Sequence, residues 1–236
     1  MAVSVDTVYR TVLLIINKEQ RGYLTPDEFN KTATQVQLDI FNEYFEDLNQ
    51  QLRVPGNDSE YSDRIKNLEE KIAIFQESGV CGSGNINGFT LPVPTPPYEF
   101  YKLGTVIYND EKEVQLVQPN ELLELNLSPL TKPSKQWPIY TYKNFRIKVY
   151  PTVSSSTISC TYIRKPLNPM WNFTATAPYY TYVYSPSTSQ NFELHPTEQT
   201  NLITRILLYS GIVIKDPQIV QVAAQQAQAE NINSKS

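Results

Sequence analysis

Calcium chemistry needs oxygen ligands at fixed spacings, and residues 17–28 of this 236-residue chain, NKEQRGYLTPDE, come close to providing them. Counted from Asn17, side-chain oxygens fall at positions one, three, nine and twelve, glycine at six and leucine at eight, the layout of an EF-hand loop. Position five is Arg21, a guanidinium where an oxygen is required, and Asn17 stands where an aspartate is usual. The carboxylates left at ligand positions are Glu19 and Glu28. Helix ends account for the same residues without a metal. Gly22 suits a helix stop, and Thr25-Pro26-Asp27-Glu28 reads as an N-cap hydroxyl, a proline at the first helical position and a carboxylate that closes a capping box. A calcium-binding helical protein is therefore the third reading of the chain.

Other reactive side chains are sparse. The single histidine, His195, precedes a proline that opens a helix, and reads as a helix-start residue rather than a catalytic base. Cys81, in a glycine-rich stretch, and Cys160, in a strand-like run, have no partner motif; a disulfide between them stays open, and no metal site is expected of them. No phosphate-cradling loop and no activated serine or cysteine nucleophile occurs. Carboxylate pairs such as Asp27/Glu28 and Glu69/Glu70 fit solvated helix faces. The chain is expected to be no enzyme and to need no cofactor and no metal.

Two helical patterns flank a region of different composition. Asp6 is placed to cap a first helix with Val8, Tyr9, Val12, Ile15 and Ile16 as its apolar stripe. Phe29, Ala33, Val36, Ile40, Tyr44 and Leu48 share one face of a second. A third is expected from Ser59 to about Ser78, with a heptad-like seam of Tyr61, Ile65, Leu68, Ile72 and Phe75. From Gly79, glycine and then LPVPTPPYEF exclude helix. Strand-like runs follow at 98–108, 113–117, 137–142, 145–150, 156–164 and 179–184, rich in aromatic and β-branched residues, and NELLEL near residue 120 is compatible with a helical turn or two. His195-Pro196-Thr197-Glu198 opens another helix, with Leu202, Ile203, Ile206 and Leu207 as its stripe and Gly211 as its end. Asp216-Pro217 opens the last, which runs to about Glu230.

The expected fold class is α+β: a discontinuous helical bundle of N- and C-terminal helices carrying an inserted antiparallel β-sandwich or barrel. Residues 1–80 form the N-terminal helical part, 81–194 the β-rich insertion, and 195–236 the C-terminal helices and arm. No run approaches the ~18 apolar residues of a membrane span, and the N-terminus lacks the order of a signal peptide, so no membrane partner is expected.

Charge follows the same plan. Residues 1–80 hold 14 acids and 8 bases, a net of −6, while 125–192 hold 7 bases and no acid, within a chain of net −4. Those bases are Lys132, Lys135, Lys143, Arg146, Lys148, Arg164 and Lys165, interleaved with eight tyrosines. Such a surface suits phosphate contact and base stacking. It suits equally the acidic helices of a second copy, the reading favoured by the overall negative charge.

The opening DTVYRTVLLIINKEQRGYLTPDEFN and the ending FELHPTEQTNLITRILLYSGIVIKDPQIVQVAAQQAQAE resemble the head-to-tail connector, or ring, proteins in the necks of short-tailed bacteriophages, most of all those of crAss-like phages. The middle, LPVPTPPYEFYKLGTVIYND through FRIKVYPTVSSSTISCTYIRKPLNP, is similar to their β-insertion. The resemblance implies a virion structural protein, assembled in the host cytoplasm into a ring of usually twelve copies. That ring would lie between the portal protein and further neck or tail rings, around the DNA passage. It also implies a C-terminal arm, here 216–236, that reaches a neighbouring ring. Lys143, Arg146, Lys148, Arg164 and Lys165 on the β region, and Asp216, Gln218, Gln221, Gln225 and Gln228 on the arm, are the candidate interface residues. The alternative from another class is a glycan- or host-binding module of a virion, using Trp137 and Trp171 as sugar platforms.

Overall fold

A computed structural model describes residues 3–18, 23–53, 59–82, 88–92, 98–109, 111–151, 157–176, 181–214, 221–222, 224–226 and 228–229. The chain is mixed α and β and divides into two compact units, Met1–Ile74 with Pro166–Ser236, and Phe75–Lys165. The boundaries drawn from sequence at 80/81 and 194/195 thus lie inside this division. The return to the first unit comes at Pro166, ahead of the last strands.

In the first unit, α1 (Val5–Lys18) starts one residue before the expected cap. Ser4 is the N-cap: its Oγ accepts from Thr7 N at 3.4 Å and its carbonyl from Val8 N at 3.2 Å. Asp6 lies inside the first turn, where its carboxylate holds Arg10. The buried stripe is Val5, Val8, Tyr9, Val12 and Ile16, and Ile15, expected in it, is exposed, because at about 100° per residue its position falls at the edge of the arc that these five residues span. Residues 19–22, with Arg21 and Gly22, lie outside the described residues. The start of α2 (Pro26–Arg53) forms as its sequence dictates: Thr25 N donates to Glu28 Oε2 at 3.0 Å, and Glu28 N donates to Thr25 Oγ1 at 3.3 Å. The Thr25 hydroxyl, which donates to Glu28 Oε2 at 2.7 Å, and then the Thr25 N–H hold the Glu28 carboxyl below its usual range. The twelfth oxygen ligand of the calcium layout is in use as a cap. Thr25→Ala is expected to lower stability by about 0.5–2 kcal/mol in denaturant melts; an unchanged midpoint would mean that α2 does not depend on this cap.

The third helix is shorter than the heptad pattern predicts. α3 (Ser59–Ala73) stops, and residues 76–78 of the expected helix belong to a strand. His195 caps a 3₁₀ turn, Pro196–Glu198, its Nδ1 lying 2.8 Å from Thr197 Oγ1, and α5 (Gln199–Ile214) follows. Gly211 does not end α5. A glycine inside a helix costs about 1 kcal/mol, and the packing of α5 against α1 and α2, with Leu202 and Ile206 fully buried, overrides it. Gln37, buried in α2, ties down the returning chain, donating to Leu167 O at 2.7 Å and accepting from Glu193 N at 3.1 Å. The strands β8 (Phe173–Thr176) and β9 (Thr181–Tyr184) form a separate hairpin within this unit.

In the second unit, the expected sandwich or barrel is instead one open, curled sheet of seven strands. In chain order these are β1 (Gln76–Val80), β2 (Phe89–Thr90), β3 (Phe100–Tyr108), β4 (Lys112–Leu116), β5 (Ile139–Lys143), β6 (Arg146–Tyr150) and β7 (Ile158–Arg164). Their spatial order is β1-β7-β3-β4-β5-β6-β2, antiparallel except for β4–β5. A parallel neighbour requires a crossover, and the helix α4 (Pro119–Leu127) lies in it, where NELLEL is helix-compatible. β3 bulges between Leu103 and Val106. There Gly104 is required by contact, since a Cβ would stand 2.7 Å from Thr161 Oγ1 and 3.0 Å from its carbonyl oxygen. The core of this unit is Val106, Tyr108, Val114, Tyr140, Ile147, Val149, Ile158, Cys160 and Tyr162.

Candidate functional site

The strands β5 and β6 are joined by two residues, Asn144 and Phe145, both left-handed at φ 52° and 56°. A two-residue hairpin turn of this kind favours asparagine followed by glycine, whose missing Cβ makes positive φ free of strain. Asn144 fits that rule, whereas Phe145, 68% exposed, does not. Burial alternates along β6: Ile147 and Val149 enter the core, which turns Arg146 and Lys148 to the opposite face. Lys143 stands directly opposite Arg146, and Thr141 opposite Lys148. Three cations therefore occupy one face of a two-stranded ribbon. Like charges in direct cross-strand register destabilise a sheet, and among the described residues neither Lys143 nor Arg146 has an ion-pair partner. Lys148 rests over the Tyr150 ring at 5.6 Å.

The remaining candidate cations are placed differently. Arg164 is buried; its Nε donates to Glu77 Oε1 at 2.9 Å and its guanidinium lies 4.0 Å from the Tyr98 ring centroid. Lys165 pairs with Glu99 at 2.9 Å. Both serve the fold of the second unit and are not gathered with the hairpin cations. Gln221, Gln225 and Gln228 are helical and exposed, while Asp216 and Gln218 lie outside the described residues. Four of the eight tyrosines are also structural. Tyr140 and Tyr162 are in the core, the Tyr162 hydroxyl, which donates to Glu77 at 2.9 Å, being pushed up to about 12 by burial and by that carboxylate. Tyr182 and Tyr184 pack on Phe173 and Trp171.

The two tryptophans part company. Trp171 is buried, its ring tilted against Tyr9 with centroids 4.4 Å apart, with its Nε1 donating to Asp6 Oδ1 at 3.0 Å and its backbone held by Asn30. It offers no platform. Trp137 is 79% exposed at the mouth of an open groove of about 1040 Å³ between Gly104–Val106, Lys112–Leu116 and Gln136–Tyr140. Beside it in sequence, α4 buries only Leu122 and leaves Leu123 and Leu127 outside, with Leu130 96% exposed just beyond. Sequence reading missed this apolar row. Its signal was present in NELLELNLSPL, which has more leucines than one face of a nine-residue helix can bury. Monomeric proteins rarely leave such apolar surface bare.

On the first unit, Glu46 and Asp47 on α2 and Glu69 and Glu70 on α3 have no ion-pair partner among the described residues. Other acids there are engaged: Glu43 with Arg205, Asp39 with Tyr209, and Glu198 with Lys71. Among the described residues no three metal-ligating side chains converge and no helix is long and apolar enough to cross a membrane. Compared with known proteins, the sequence matches no family model and no curated protein.

Proposed function

We propose that this chain is a virion structural protein that assembles head to tail into a ring of the portal–tail neck, around the DNA passage. Portal and adjacent neck or tail rings are its partners in this reading. The helices of the first unit would form the bundle of the ring's frame, and the cationic hairpin would meet the acids of the next copy. The observation that carries the proposal is Lys143 opposite Arg146 beneath Phe145. Charge repulsion and a strained, exposed aromatic residue meet at one tip, where an anionic, partly apolar partner would relieve the repulsion and cover the ring. Surfaces of opposite sign on one chain suit a heterologous contact, which closes into a ring when the rotation allows.

Phe145→Gly tests the tip. It removes a left-handed strain of about 1 kcal/mol and gives up the edge contact of the ring with Phe100, worth about as much, so the monomer is expected to melt near the wild type while the assembled fraction in light scattering falls severalfold. Undiminished assembly in this variant would remove the hairpin from the interface. A second reading, a sugar-binding surface, is favoured by Trp137 alone. Because Trp171 is buried, quenching of tryptophan fluorescence by added oligosaccharides would report on Trp137, and a saturable change would support that reading over the ring.

A further inference from the structure

The sequence separates Cys81 and Cys160 by 79 positions, yet their sulfurs lie 3.6 Å apart, both buried. The register of β1 and β7 causes this. Gly79 stands opposite Cys160, so Cys81, whose N–H donates to Ile158 O at 2.7 Å, is its diagonal neighbour on the core face. Cys81 lies one residue past β1, where Gly82 N donates to Thr90 O at 2.9 Å and fixes the backbone, so rotation of the two side chains is what closes the roughly 1.5 Å between contact and an S–S bond of about 2.05 Å.

We propose that Cys81 and Cys160 are an oxidisable dithiol, which a peroxide converts to an intramolecular disulfide that staples edge strand β1 to β7, and which a thiol reductant reopens. The Cys81 thiol donates to Cys160 Sγ. That bond, with burial, pushes the Cys81 thiol up, and the same bond outweighs burial to bring Cys160 down. Cys160, the sulfur that accepts this bond, is the one that attacks. Its thiolate takes one peroxide oxygen, the O–O bond breaks, and the departing hydroxide gains a proton to leave as water, with Cys160 now a sulfenic acid. The Cys81 sulfur then attacks the Cys160 sulfur. The S–OH bond breaks, and the hydroxyl leaves as a second water with the Cys81 proton. Two thiols lose two electrons and one peroxide is reduced to two waters.

The test uses the full chain, treated with hydrogen peroxide, then denatured and labelled with a maleimide. The treated protein is expected to weigh two hydrogens less, take up no label, run as a monomer on a non-reducing gel and yield a peptide linking positions 81 and 160. Dithiothreitol should restore both labels. Closing a loop of 79 residues should also raise the melting temperature by at least about 5 °C. Cys81→Ser should abolish the mass loss and the cross-linked peptide. Two labels after peroxide, oxygen added without a cross-link, or disulfide-linked dimers in place of the internal bond would each overturn the proposal.

Discussion

Replacing Lys71 by methionine is expected to destabilise the first unit by about 3 kcal/mol, the low end for breaking a buried ion pair and leaving its partner uncompensated. Lys71 Nζ lies 2.6 Å from Glu198 Oε1, and the Glu198 side chain is only 8% exposed. The pair ties α3 to the start of α5, and the ammonium also stands over the Tyr44 ring at 5.5 Å. Burial alone would raise the Glu198 carboxyl, but Lys71 and Asn201 outweigh it and hold the group below its ordinary 4.5. A carboxyl depressed in the folded state contributes stability that is complete above the unfolded value and is lost as pH falls through the native one. The wild type should therefore lose this contribution only below about pH 4.5. In the variant only hydrogen bonds from Asn201 and Tyr44 still oppose burial, the largest influence on the group, so the carboxyl rises, and the deficit should be largest at neutral pH and shrink toward about pH 4. Chemical denaturation across that range measures both signs, and a deficit independent of pH would mean that lost packing, not the stranded charge, sets the cost. Adding Glu198→Gln to the variant should recover part of the loss at pH 7.

The second large effect is expected from Arg146→Glu. In the monomer it replaces a repulsive cross-strand neighbour of Lys143 by an attractive one, a gain of about 0.2–1 kcal/mol. In the assembly it sets a carboxylate against the acids of the next copy, and like charges at an interface cost far more. At 0.1 M salt, where charges reach ~10 Å, assembly should weaken tenfold or more; at 1 M salt, where they reach ~3 Å, variant and wild type should converge. Melting curves beside light scattering separate the two effects. A ring indifferent to the reversal and to salt would keep the assembly and discard its electrostatic cause, leaving the cationic hairpin as a surface for DNA.

What was legible in the sequence was local. Thr25 to Glu28 specify a capping box within four residues, and the structure makes both reciprocal bonds. The α2 stripe follows from spacing alone from Phe29 to Tyr44, with Leu48 only half-buried, whereas of the four residues expected in the α5 stripe Leu202 and Ile206 are buried and Ile203 and Leu207 are half-buried. What was not legible depends on partners far along the chain. QESGV, the strand β1, has weak strand propensity and reads as the tail of a helix; it is extended because β7 pairs with it. The parallel β4–β5 pair and the open sheet, in place of a sandwich, are matters of strand order that alternation cannot encode. In the candidate site, counting bases found Lys143, Arg146 and Lys148, but it also counted Arg164, because a sequence shows charge and not that Glu77 waits across the sheet. Trp171 looked like a platform for the same reason: its cage of Tyr9, Asp6 and Asn30 lies more than 140 residues upstream. The proximity of Cys81 and Cys160 exists only in the register of β1 on β7.

The central claim is assembly into a closed ring, and electron micrographs of the purified full-length protein, alone and mixed with a portal-type ring, test it most directly. Class averages are expected to show rings of a single rotational symmetry around an open channel, dispersing when Arg146 is reversed at low salt. Monomers at every concentration and salt, both alone and with the portal-type partner, would contradict it.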